Sequence, residues 1–308
     1  MISIKTIKYA NIAIKKEIQS KKHYKIINLI IASSAKHYDI FTHCWMQYMN
    51  KNPEVRSFFL YSNAAIESDI LIDEYSITYR CEESLIPGIL YKTLAAEKFC
   101  QRYISYDYML RTNLSSLVHF PRLLDYLRLQ KQEDFMCSNI EYFPLALNEE
   151  DIDRNDKRIS NVIDYNKENW KKHTKVLRDF FGFSDFFQNN QNFYFLAGSF
   201  FIMSRDVVDK LLYEVFTNNI LARSNLYTIP DDVAISAIIQ LQSIRPANFS
   251  TTSKLSIQCE KLEDPVEYND TIFHIRNRTD IYFGNRDIDV MNMVEQVRFF
   301  YNLSEYLK

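Results

Sequence analysis

The chain has 308 residues and a formal charge of −2, with 47% hydrophobic and 25% charged residues. That is enough chain for a large core and the balance of a soluble globular enzyme, and the near-neutral charge argues against nucleic acid as a partner. The five cysteines, Cys44, Cys81, Cys100, Cys137 and Cys259, are scattered with no Cys-x-x-Cys pair, so neither a zinc site nor a disulfide framework is expected. No stretch approaches the roughly 18 to 20 apolar residues of a membrane span, and the first 25 residues lack a signal-peptide core, which gives a cytoplasmic expectation. Aromatics reach 15% while glycines number four, a bias that an AT-rich genome explains better than carbohydrate stacking.

Residues 1–25 carry seven lysines against Glu17, with Ile4, Ile7, Ile14 and Ile18 at near-helical spacing. This reads as a basic amphipathic segment, either touching an anionic membrane peripherally or docked on its own domain. Residues 26–308 then read as one domain. Ile26 to Ala32 is a buried first strand ending in the polar loop Ser33-Ser34-Ala35-Lys36, followed by a helix through Trp45. Val55 to Tyr61 is a second strand, and a third lies within Ile70 to Tyr79 despite Asp73-Glu74. Ile86, Ile89, Leu90 and Leu94 mark a helical face. Tyr103 to Leu110 is a strand that breaks at Arg111-Thr112-Asn113-Leu114-Ser115-Ser116, where a parallel strand would deliver side chains to a ligand. A helix with Pro121 in its first turn follows, burying Leu117, Phe120, Leu124 and Leu127. Lys131 to Lys175 has no clear period and reads as a surface excursion, whereas Phe193 to Met203 is a strand interrupted by Ala197-Gly198-Ser199. Ser204 is the expected N-cap of a helix facing inward with Val207, Val208, Leu211, Leu212 and Val215. A helix from Asp231, a short strand through His274 and a helix from about Asp287 finish the chain. Strand and helix alternate, the rhythm of an α/β, Rossmann-like mixed sheet flanked by helices.

Pro230-Asp231-Asp232-Val233 and the later Phe273-His274 carry the functional argument. A carboxylate at a helix entrance can accept a proton from a hydroxyl, although two aspartates there also simply favour the helix dipole. Ser33, Ser34 and Lys36 lie where an open α/β sheet takes its ligand. Arg111, Arg205, His274, Arg276 and Arg278 are the groups available to a departing anion, and Gly198 would let backbone approach a substrate.

In this order the blocks resemble the family 31 glycosyltransferases, fringe-like β1,3-transferases with a GT-A fold, over about 26–278. Ile-Ala-Ser-Ser-Ala-Lys through Cys44-Trp45 is similar to the family's first strand and helix, and Glu83-Ser84 through Lys92-Thr93 to its Asp-Ser-x-x-Asn-Leu-x-x-Lys-Thr segment. Ala197-Gly198-Ser199 through Ser204-Arg205 is similar to its glycine-bearing strand and helix start. The resemblance implies a single GT-A-like domain and an inverting transfer from a nucleotide sugar, UDP-linked, to a glycan hydroxyl. Asp232 would be the general base with Asp231 beside it, Asn113, Ser115 and the groups above would hold the donor, and His274 would face a metal. One departure matters: the family's three metal-binding aspartates are replaced by Asn113, Leu114 and Ser115. Neutral oxygens are weak ligands for Mn or Mg, so His274 and Ser115 would hold such an ion only weakly. Asp107, the nearest carboxylate, precedes the motif. A chain without a membrane anchor suits a host that builds glycans in its cytosol, such as a bacterium or a large DNA virus. The alternative is a catalytically inactive protein of the same fold that binds a glycan or protein partner.

Overall fold

The computed structural model describes residues 2–35, 38–129, 134–137, 140–144, 167–182, 192–248, 255–259, 271–279 and 286–301. Its strands are β1 (Ile7–Tyr9), β2 (His23–Ile31), β3 (Val55–Ser62), β4 (Ile70–Ile72), β5 (Ser76–Tyr79), β6 (Ser105–Asn113), β7 (Ser116–Val118), β8 (Phe135–Cys137), β9 (Ile140–Pro144), β10 (Asn192–Leu196), β11 (Phe200–Ser204), β12 (Ala247–Asn248), β13 (Ser256–Cys259) and β14 (His274–Asn277). The helices are α1 (Ile12–Gln19), α2 (Tyr38–Met46), α3 (Gly88–Tyr103), α4 (Phe120–Leu129), α5 (Lys167–Phe181), α6 (Arg205–Phe216), α7 (Ile220–Arg223), α8 (Asp231–Gln240) and α9 (Asp287–Tyr301), with a 3-10 turn at Leu226–Thr228.

Nine strands form one mixed sheet in the order β1-β4-β5-β3-β2-β6-β11-β8-β12. From β5 to β6 the strands run parallel, and β11 is antiparallel to both β6 and β8. The side-chain period of two divides the core between the two faces. Ile27, Leu29 and Met109 join α3, α6 and α8 on one face, while Ile26, Ile30 and Leu110 join α2, α4 and α9 on the other. The fold is thus the α/β, Rossmann-like mixed sheet flanked by helices that the alternation of elements implies.

Several local expectations change. Asp73-Glu74 is a turn, so the third strand is the antiparallel pair β4 and β5. Leu117 lies on β7 rather than a helix, and β7 pairs with β14. Within the stretch expected to be a surface excursion, β8 is a strand of the central sheet, and α5 begins there and buries His173 and Thr174. The Phe193 to Met203 run is two strands. Ala197-Gly198-Ser199 turns the chain, sending β10 to pair with β9 and β11 into the main sheet.

At the N-terminus β1 pairs with β4, and α1, capped by Asn11 Oδ1 on the Ile14 N–H at 2.9 Å, buries Ile14 and Ile18 in the core. The face a membrane would take is therefore the face turned inward. No helix among the described residues is long and apolar enough to cross a membrane.

Candidate functional site

Arg111 is seven residues into β6 and shares the face of Met109, so its side chain enters the α3–α8 layer. There its Nη2 donates to Asp231 Oδ2 at 2.7 Å in a buried ion pair, and its Nη1 donates to Asn113 Oδ1 at 3.0 Å. Phe201, directly across from it on β11, presents its ring 5.7 Å from the guanidinium. Asp231 is the first residue of α8, and Pro230 before it is extended, so the carboxylate meets both the helix N-terminus and a fixed cation.

Asp232 is half-buried. Its Oδ2 accepts the Gly198 N–H at 2.8 Å and its Oδ1 accepts the Val233 N–H at 2.9 Å. Burial and the neighbouring Asp231 carboxylate raise its pKa to about 6 against the pull of Arg111 and the two N–H groups. Each carboxylate oxygen keeps a second lone pair, so a half-buried Asp232 of raised basicity can still accept a proton.

Gly198 has a definite reason to lack a side chain. A Cβ there would lie 2.8 Å from Asp232 Oδ2 and 2.9 Å from Arg111 Nη1. The glycine lets backbone approach the carboxylate and the guanidinium, where the sequence suggested a substrate.

Lys92, which the sequence offers only within the Lys92-Thr93 segment, adds a cation. Its Nζ, almost wholly buried, donates to the Ala32 carbonyl at 2.8 Å and to Glu83 Oε1 at 2.9 Å, tying α3 to the carboxyl end of β2. Burial lowers its pKa while Glu83 opposes that shift. Ser33 and Ser34 follow at the same strand end, half-buried and exposed; Lys36 lies outside the described residues. Beside the α8 entrance Leu85, Pro87, Tyr91, Lys172, Tyr227 and Thr228 line a cleft of about 470 Å³.

Other expected residues are placed elsewhere. Arg205 donates to the carbonyls of Ile104 and Gln101 at 3.1 and 3.0 Å, at the amino end of β6 and roughly 20 Å along that strand from Arg111. Its guanidinium closes the C-terminus of α3 instead of facing a ligand. Asp107 lies toward that same end, held by Lys25 at 2.7 Å and His23 at 3.2 Å. His274 is buried with its ring 4.5 Å from Phe200, on the α2–α4–α9 side. Phe200 and Phe201 alternate across β11, so His274 and the Arg111–Asp231 pair occupy opposite faces of that strand. Burial, with help from Arg276, lowers the His274 pKa to about 3, leaving a neutral ring. Arg276 faces Ser116 across the β14–β7 ladder, and Arg278 is half-buried just beyond it.

The residues present do not suit a divalent ion. Asn113 is engaged with Arg111, Leu114 is buried with its carbonyl accepting from Trp45 Nε1 at 2.8 Å, and the Ser115 carbonyl accepts from Asn277 at 2.9 Å. Among the described residues no three His, Cys, Asp or Glu side chains converge as a metal site.

No protein-family model matches this chain, and no curated protein sequence matches it. Among solved structures it is similar to the galactosyltransferase LgtC in complex with donor and acceptor sugar analogs, at 10% identity and a TM-score of 0.44, over 92% of this chain and 98% of that one. No residue role follows from a likeness of that size.

Proposed function

We propose that this chain is a GT-A-like glycosyltransferase moving a sugar from a nucleotide-sugar donor, UDP-linked, to a glycan hydroxyl with inversion, and that Asp232 is its general base. One observation carries the reading: Arg111, Gly198, Asp231 and Asp232 converge at the carboxyl edge of the parallel strands, where open α/β sheets take their ligands. In the transfer, the acceptor O–H gives its proton to Asp232 as its oxygen bonds to the anomeric carbon. The bond from that carbon to the diphosphate breaks, and the diphosphate leaves with the electron pair. Asp231 and Arg111 fix the helix end that aims Asp232, and the raised basicity of Asp232 suits proton abstraction near neutral pH.

The donor set offers no anionic cage for Mn or Mg, so Arg276, Arg278 and backbone N–H groups are the candidates to meet the leaving charge. The competing reading, a binding protein without catalysis, is favoured by one feature: both Asp232 oxygens already serve the turn at Gly198 and the start of α8. Thermal unfolding against nucleotides and nucleotide sugars, each with manganese and with EDTA, tests the donor site. One donor raising the midpoint in both arms is the expected result. No shift with any nucleotide removes the transferase reading. NMR of the released product then reads the anomer and decides inversion.

A further inference from the structure

Three carboxylates, Glu97, Asp231 and Asp232, and two cations, Lys92 and Arg111, are packed between α3, β6 and α8, with the exposed Glu83 at their rim. Glu83 is matched by Lys92, Asp231 by Arg111, and Asp232 accepts two backbone N–H groups. Glu97, on α3, is left over. It is wholly buried, and neither of its carboxyl oxygens has a hydrogen-bond partner among the described residues. Thr93 Oγ1, one turn earlier on the same buried face, and Arg111 Nε are also without one. An ionised carboxylate with no partner is among the costliest groups to enclose, and taking up a proton relieves that cost. We infer that Glu97 rests as an uncharged carboxylic acid and acts as a positioning residue for the Arg111–Asp231 pair: while protonated it leaves Arg111 to Asp231, and once ionised it competes for that guanidinium. The inference concerns the electrostatics of the site and stands whether or not a sugar is transferred there.

The groups facing Glu97 are Asp231 from α8, Arg111 and Tyr106 from β6, and Cys100 on α3 itself. From the other elements packed on α3, Arg56 of β3 is engaged by Glu17, while Arg205 and Asp209 of α6 act on Tyr106. Burial first, then Asp231, raise the Glu97 pKa to about 8, with Arg111 opposing. Between about 4.5 and 8 the unfolded chain has lost the Glu97 proton while the folded chain retains it. This group's contribution to stability is therefore full below that window and lost as pH rises through it.

The test needs no substrate. In wild-type protein labelled at the glutamate side-chain carboxyl carbon, one resonance should titrate near pH 8, and the Arg111 Nε–H resonance, assigned by Arg111→Lys, should move with the same midpoint. Thermal unfolding from pH 5 to 9 should show the gap between Glu97→Gln and wild type widening in favour of the variant by several degrees. If every glutamate titrates below pH 6, or the two unfolding curves run parallel, the inference is overturned. If Glu97 titrates near 8 and Arg111 does not respond, the positioning role is overturned. Should Glu97→Gln fail to fold, the wild-type titration decides alone.

Discussion

Asp232 anchors two backbone N–H groups and is also the proposed base, and substitution can separate the two roles. Asp232→Asn keeps an oxygen for one of the two N–H groups but cannot take up a proton as a carboxylate does. Transfer should fall at least about a hundredfold while the unfolding midpoint moves little. Comparing initial rates with melting curves checks this, and unchanged transfer would leave Asp232 a structural residue. Gly198→Ala is expected to lower stability as well as transfer, costing about 1–3 kcal/mol in denaturant unfolding because its methyl meets Asp232 and Arg111 below 3.0 Å. Arg111→Met strands Asp231 in a buried place without its cation, and about 3–5 kcal/mol should be lost. The Asp-Asp pair was legible in the sequence because a Pro-Asp-Asp-Val helix start is compact. The partners of that pair were not, since Arg111 is 120 residues away and its commitment to Asp231 depends on which face of β6 it occupies.

Among elements, α6 was the most legible. Ser204 accepts the Val207 N–H as its cap, and Val207, Val208, Leu211, Leu212 and Val215 are all buried, as their spacing implied. Ser204→Ala should cost about 1 kcal/mol in chemical denaturation with no change in transfer, and a catalytic loss would show that this helix start reaches the site. The short strands were the least legible. Phe135–Cys137 has three residues in a polar stretch, too few to display a period, and only its place between β11 and β12 makes it part of the sheet. Leu117 fits a helical spacing equally well, and pairing with Ile275 on β14 puts it in a strand. Arg205 was expected at the donor because it follows the glycine-bearing strand, but β11 runs antiparallel to β6 and delivers it to the amino edge.

The molecule as a whole carries opposed titrations. Burial lowers the pKa of His119 and His173 to about 4 and of His274 to about 3. Each takes up its proton in the unfolded chain first, so their stability contributions, present above about 6.5, are lost as pH falls through these folded values. Glu97 and Asp232 contribute in the opposite direction, two groups against three. Melting temperature should fall as pH drops from 6.5 to 4, and His274→Gln should make that fall shallower; a fall of unchanged slope would exclude His274 as a source. Nothing in this balance involves a metal, and with Asn113 bonded to Arg111 and no cluster of three His, Cys, Asp or Glu side chains among the described residues, EDTA is expected to leave both the melting curve and any transfer rate unchanged. Loss of transfer in EDTA would reinstate a metal at this edge.

From local pattern alone the sequence determined the alternation of strand and helix, the buried first strand, the capped α6 and the acidic entrance to α8, because each is a matter of period or of neighbours within a turn. Only the tertiary structure decided which cations those carboxylates meet. It committed Arg111 to Asp231, placed Lys92 on the Ala32 carbonyl and Glu83, and turned His274 against Phe200. It also enclosed Glu97 without a hydrogen-bond partner among the described residues. Those outcomes depend on which of two sheet faces a side chain occupies and on the order in which distant strands lie together, and a period read along the chain carries neither.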